Sequence, residues 1–229
     1  MNRNQAILKA IQAISLYVNG GKGSGNFGHA GRPGKRGGSG SGGLDSLVSK
    51  QLSSSFKQRA KAEEEANKLP QESFEWVVQM TIANKARQLI NRIFRDEFDK
   101  RGLDLSKIVK DQLEWSEGNG PRDKNTGEYY SMPDLEKNKN TPEHKLHRQL
   151  TQDTLRASGI KELTLYRGVR KNEPNPRGYT SFTTSEDIAR TFGNRIVAKK
   201  VQLKDIVTHY QVQWDSAYIS EQEVIVDLH

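Results

Sequence analysis

The sequence predicts an α+β protein in which N-terminal helices precede a mixed or antiparallel β core. Three observations lead to this prediction. Apolar residues recur at helical spacing as far as residue 157, and short β-prone apolar runs replace them from residue 163 onward. Ahead of both, glycine occupies 12 of the 24 positions in residues 20–43, a composition typical of a disordered linker.

The first 43 residues are predicted to form an arm that is separate from the folded part. Residues 1–19 are interpreted as an amphipathic docking helix, because four β-branched residues share one helical face. Residues 20–43 are interpreted as a flexible, glycine-rich, basic linker. The apolar face of the docking helix consists of Ile7, Ile11, Ile14 and Val18.

Residues 44–142 are predicted to be a helical region that ends in a long loop. Pro70 cannot continue a helix and Gly102 suits a C-terminal cap, so both mark helix ends. The predicted elements are a polar helix over 44–69, an amphipathic helix over 72–100, a short helix over 104–115 and a loop over 116–142.

Residues 143–229 are predicted to hold one more helix and then the β core. Ser185 followed by two acids is typical of a helix N-terminus, so a short helix is expected to end near Phe192. The other elements are a helix over 143–157 and strands over 163–166, 179–183, 195–203, 205–210 and 223–228.

Composition excludes several classes of protein. The chain has no cysteine, which excludes disulfides, thiolate metal sites and a cysteine nucleophile. No apolar run is long enough to span a membrane, and no secretory signal is recognisable. We therefore expect a cytoplasmic location and no membrane partner.

The basic charge is concentrated in the arm. Of a net charge of +8, six basic residues lie within residues 1–43, which contain no acid. Such an arm can contact nucleic acid or an acidic protein, or it can be a solvated tail. The sequence leaves these alternatives open.

Four polar residues stand on otherwise apolar, β-prone runs near the C-terminus. Arg167 ends a strand, and a guanidinium offers a rigid fork for phosphate. Gly168 follows it and permits a close approach of a ligand to the backbone. Ser181 can orient a carboxylate, and Glu221 and Glu223 project from the same face if both are extended. Such a set predicts an anion-binding site with paired carboxylates.

His144 and His147 lie one helical turn apart, a spacing that could suit a metal. No third ligand is evident, so we predict no metal site and interpret the two histidines as part of a surface helix.

The ordered motifs resemble those of mono-ADP-ribosyltransferases of the arginine–serine–glutamate class, which include bacterial toxins. The similarity covers residues 143–229, which the resemblance identifies as the catalytic core. It is carried by Leu-Tyr-Arg-Gly at 165–168, Gly-Tyr-Thr-Ser-Phe-Thr at 178–183, Phe-Gly-Asn-Arg at 192–195, Ser-Ala-Tyr at 216–218 and Glu-Gln-Glu-Val-Ile-Val at 221–226.

The resemblance implies an NAD-dependent transferase that moves ADP-ribose to an arginine of a target protein, without a metal. Glu223 would stabilise the ribose as nicotinamide leaves, Ser181 would position Glu223, and Glu221 would hold the acceptor guanidinium. Trp214 and Tyr218 would meet the target protein. The implied NAD-binding residues are Arg167, Gly168, Ser181, Thr183, Phe192 and Arg195, although Thr183 stands where the family usually has serine.

Two alternatives remain open. Water as the acceptor would make the chain an NAD glycohydrolase on the same fold. A structural or nucleic-acid-binding virion protein would instead work through residues 1–43. The stretch from Gly23 to Gly40, which contains Asn-Phe-Gly-His-Ala-Gly-Arg-Pro-Gly at 26–34, is similar to linkers in head-associated proteins of tailed phages and prophages. This similarity implies a phage- or prophage-encoded protein that is associated with a virion or its head.

Overall fold

The structure is a computed structural model, and it confirms the α+β prediction. Helices come first and a five-stranded antiparallel sheet follows. Several sequence predictions concern residues outside the described part of the chain: the docking helix, the linker, most of the long loop, Trp214 and Tyr218. That part consists of residues 44–116, 134–170, 178–212 and 221–228.

Five of the six described helices match predicted ones to within a few residues, and side-chain caps explain where several begin. The exception is the short helix Asp134–Lys137, which lies within residues 116–142, where the sequence predicts a loop. Asp45, Ser73, Thr141 and Ser185 each accept a hydrogen bond from a backbone N–H in the first turn of the helix that follows. The helices are α1 (Ser46–Asn67), α2 (Phe74–Asp99), α3 (Leu105–Ser116), α4 (Asp134–Lys137), α5 (Pro142–Ala157) and α6 (Glu186–Phe192).

The five strands also lie where the sequence predicts them. They are β1 (Glu162–Val169), β2 (Gly178–Thr183), β3 (Arg195–Gln202), β4 (Ile206–His209) and β5 (Glu223–Leu228). Their order across the sheet is β3-β1-β2-β5-β4, and every neighbouring pair is antiparallel. β5, which follows the other described strands in the chain, therefore lies inside the sheet, between β2 and β4.

One face of the sheet shares a hydrophobic core with the helices. Because side chains alternate along a strand, Phe182, Val224 and Val226 turn towards this core. The predicted helical region and the predicted catalytic core are thus packed on each other. Other buried members of the core are Leu52 and Phe56 of α1, Phe94 and Phe98 of α2, Leu150 of α5 and Leu165 of β1.

The opposite face carries a smaller apolar cluster and the predicted site. Leu135 of α4 packs there with side chains from three strands, and Trp115 of α3 lies against this cluster. The strand residues of the cluster are Tyr179, Val207 and Ile225. Ser181 and Glu223 alternate with the core-facing residues and therefore belong to this second face.

The interpretation of His144 and His147 as surface residues is wrong. Both are buried on the face of α5 that packs against α3, His144 being 7% and His147 3% exposed. Burial lowers the pKa of His147 to about 3, so this imidazole is neutral. Burial also lowers the pKa of His144, against the opposing effect of Asp111.

None of the helices in the described ranges is long and apolar enough to cross a membrane.

Candidate functional site

Ser181 and Glu223 meet on neighbouring central strands. Thr183 pairs with Glu223 and Ser181 pairs with Ile225, so Ser181 and Glu223 are diagonal neighbours on one face. The Ser181 hydroxyl donates a hydrogen bond to Oε1 of Glu223. The sequence hypothesis that this serine orients this carboxylate thus has its contact in the structure.

Arg167 lies on β1, next to β2, and is fixed by the backbone of the serine strand. Its Nη1 donates to the carbonyl oxygen of Ser181 at 2.8 Å. The guanidinium is half-buried and its positive charge lowers the pKa of Glu223. Arg167, Ser181 and Glu223 are therefore brought together by β1, β2 and β5, as the sequence predicts.

Glu223 lies in an unusual environment for a carboxylate. It is only 7% exposed, and burial raises its pKa from 4.5 to about 7. Hydrogen bonds from Ser181 and Trp115 oppose this effect, whereas the negative charge of Glu221 adds to it. A perturbed carboxyl group held by specific donors is typical of a functional site.

Glu221 and Glu223 do not extend along one strand. β5 begins at Glu223, and Gln222 has a φ of 49°, which lies in the left-handed region. The Gln222 carbonyl accepts from the Thr184 backbone N–H at 3.3 Å, and its side-chain oxygen accepts from the Thr184 hydroxyl at 2.7 Å. The turn leaves the Glu221 side chain exposed beside the buried Glu223, and partial desolvation of its carboxyl group raises the pKa of Glu221.

Trp115 is a site residue that sequence reasoning missed. Its indole Nε1–H donates to Ser181 Oγ at 3.2 Å and to Glu223 Oε1 at 3.1 Å. The residue closes the predicted helix over 104–115, and its helical spacing to Ile108 is the signal that places it on the buried face. Nothing in the sequence shows which strand that face meets.

The other predicted NAD-binding residues surround α6. Gly168 has a packing role, because a Cβ there would lie 2.0 Å from the carbonyl oxygen of Ala189. Thr183 is buried and its hydroxyl accepts from the Ser185 backbone N–H at 3.2 Å. Phe192 ends α6 and Arg195 begins the edge strand β3, and both are exposed. The described contacts do not join Phe192 or Arg195 to Glu223.

No cluster of three or more potential metal ligands occurs within the described ranges. No protein-family model, curated protein or solved structure matches the chain.

Proposed function

We propose that this chain transfers ADP-ribose from NAD to an arginine side chain of a target protein and releases nicotinamide. The observation that carries the proposal is the junction of Arg167, Ser181 and Glu223 on three adjacent strands. The order of the motifs supports an ADP-ribosyltransferase type of fold for the sheet and the helices on it. The reaction as proposed needs no metal.

Glu223 and Glu221 have different roles in the proposed reaction. The bond between ribose C1′ and the nicotinamide nitrogen breaks, and its electron pair leaves with nicotinamide. Glu223, once ionised, stabilises the positive charge that develops on the ribose. Both described hydrogen bonds to Glu223 reach Oε1, so Oε2 is the oxygen that we assign to a ribose hydroxyl. Arg167 binds the phosphates, with Phe192 and Arg195 contributing to nicotinamide and phosphate binding.

Glu221 serves the acceptor in this proposal. Its exposed position next to Glu223 leaves it accessible to a protein side chain, and a carboxylate can hold a guanidinium in a charge-assisted pair. The guanidinium nitrogen then bonds to C1′ and releases one proton to water. Trp214 and Tyr218 are proposed to contact the target protein.

The direct test is incubation of the chain with labelled NAD and a cell lysate. We expect label on protein, and mass spectrometry is expected to map it to arginine. Label on aspartate, serine or nucleic acid, in the absence of labelled arginine, would show that the acceptor assignment is wrong. The same assay with the Glu223→Gln variant shows whether the labelling depends on the site.

Glu221→Gln is expected to separate transfer from hydrolysis. The change removes the charge that holds the guanidinium, so arginine labelling is expected to fall at least ~10-fold while hydrolysis of NAD by water changes less. Both rates are measured on the same preparation, and Glu186→Gln, an exposed glutamate on α6, is the matched control. An equal loss of both activities would place Glu221 on the NAD side of the reaction.

Residues 1–43 are proposed to determine where the protein is located, by binding a virion or head protein. Nucleic acid is the alternative partner of this basic arm. The enzyme is proposed to act in the cytoplasm of a host cell. The fragment 44–229 is therefore expected to keep the NAD chemistry of the full chain and to lose retention in virions. Activity assays and virion fractionation of the full chain and the fragment test this. A folded but inactive fragment would favour the alternative in which the arm is the working part.

A further inference from the structure

Helix α3 extends from the helical core to the strands of the candidate site. The inward-facing stripe of this helix has spacings of three and four residues and consists of the buried Ile108, Asp111 and Gln112 and the partly buried Trp115. Ile108 packs in the main hydrophobic core, whereas Trp115 lies against the cluster on the second face of the sheet. The middle of the stripe is polar and buried, which requires specific partners.

Those partners are the buried histidines of α5. Oδ2 of Asp111 lies 3.0 Å from Nε2 of His144 and accepts a hydrogen bond from Nδ2 of Asn138 at 2.7 Å. Nε2 of Gln112 lies 3.4 Å from Nε2 of His147. The two contacts lie one helical turn before Trp115 and on the same face of α3, because residues i and i+4 share a face.

The indole N–H of Trp115 donates to two acceptors. The indole nitrogen is 3.2 Å from Ser181 Oγ and 3.1 Å from Glu223 Oε1, and the Ser181 hydroxyl donates to the same Oε1. A buried carboxylate that receives two donors on one oxygen is restricted in rotation, and its second oxygen keeps a fixed direction. The ring itself packs against the apolar cluster, so its role as a hydrogen-bond donor and its role in packing are separable.

We propose that Trp115 is a positioning residue for Glu223. Its indole N–H fixes the carboxylate through Oε1, and the polar contacts between α3 and α5 hold the indole in place. The inference rests on the proposed function, because it assigns Trp115 a role in the reaction of Glu223. It also makes the helical region part of the catalytic machinery rather than a support for it.

The distinguishing variant is Trp115→Phe, which keeps an aromatic ring in the cluster and removes only the donor. We expect the kcat for nicotinamide release to fall about tenfold, the loss expected for one charge-assisted hydrogen bond, with little change in the KM for NAD. Trp76→Phe, the same change on the partly exposed first turn of α2, is the control and is expected to leave kcat unchanged.

A readout that does not need activity is the titration of the Glu223 carboxyl carbon by NMR. Loss of a donor to the charged form is expected to raise its measured pKa by about one pH unit in Trp115→Phe. The charges that also act on this carboxyl, Arg167 and Glu221, are unchanged in the variant. In the wild-type chain, the indole N–H resonance of Trp115 is expected to titrate together with Glu223, and this response should disappear in Glu223→Gln.

The two proposals fail in different ways. A wild-type chain that does not cleave NAD refutes the proposed function, while the two NMR titrations still report on the contact between Trp115 and Glu223. The positioning role is overturned if the pKa of the Glu223 carboxyl is unchanged in a folded Trp115→Phe variant. It is also overturned if the indole N–H resonance of Trp115 does not titrate with Glu223. A normal kcat in that variant also overturns it and leaves Trp115 as a packing residue.

Discussion

Glu223→Gln is expected to lower the rate of nicotinamide release from NAD by at least ~100-fold, with transfer and hydrolysis affected alike. Glutamine preserves the shape of the side chain and can still accept from Ser181 and Trp115. What it removes is the negative charge that, in the proposed mechanism, stabilises the oxocarbenium-like ribose. The loss is therefore expected in kcat, because this charge acts mainly in the transition state.

The measurement is steady-state release of nicotinamide at saturating NAD. Glu75→Gln, an exposed glutamate in the first turn of α2, is the matched control and should retain wild-type activity. Turnover by Glu223→Gln at the wild-type rate would refute the mechanism. A loss confined to KM would show that Glu223 binds NAD without acting on the reacting bond.

The second large effect expected of Glu223→Gln is on stability. The variant is expected to lose activity but to gain stability. Burial raises the pKa of Glu223 from 4.5 to about 7, so between these values the native chain keeps a proton that the unfolded chain releases. The stability contribution of this group is therefore fully present below pH 4.5 and is lost as the pH rises through 7. The loss between pH 5 and pH 8 is roughly 2–3 kcal/mol.

Glu223→Gln removes this penalty, so the variant is expected to be more stable than the wild type at pH 8 and less different from it at pH 5. Urea unfolding at both pH values measures the change. Burial lowers the pKa values of His147 and His209 to about 3, so both histidines independently reduce stability as the pH falls below 6.5. Only the difference between variant and wild type at each pH therefore reports on Glu223. An identical stability difference at the two pH values would contradict the raised pKa.

The two expectations together describe a trade between activity and stability. A carboxylate placed where its charge is poorly solvated weakens the fold and strengthens the electrostatic effect on a bound substrate. A variant that is more stable at pH 8 and inactive would fit this description. The raised pKa also predicts that ionisation of Glu223 limits activity below about pH 7, unless bound NAD lowers that pKa.

Much of the fold could be predicted from the sequence, because residues that end helices and changes in apolar spacing mark the same element boundaries. Pro70 and Gly102 mark helix ends by their backbone conformation, and Ser185 marks a helix start by its side-chain cap. The change of apolar period near residue 163 marks the start of the sheet. The junction of Arg167 and Ser181 with Glu223 was expected from the order of the motifs and their resemblance to the arginine–serine–glutamate class. These features depend on residues close in sequence or on ordered motifs.

The rest depended on contacts between distant segments. Trp115 reaches a strand more than a hundred residues away, and no local pattern specifies that contact. His144 and His147 were assigned to the surface because a polar residue on a helix usually faces water, yet α3 supplies partners that allow their burial. The turn at Gln222 was missed because a residue other than glycine rarely adopts a left-handed conformation.

The position of β5 has a consequence for when the site first exists during synthesis. β5 follows the other described strands in the chain, yet it lies between β2 and β4 and carries Glu223. A ribosome makes all the other described strands before this one, so the nascent sheet has a gap where the carboxylate will stand. The site can assemble only when β5 enters that gap, and until then β2 and β4 present unpaired edges that are prone to aggregate. The proposed reaction therefore requires a chain that has been synthesised through β5.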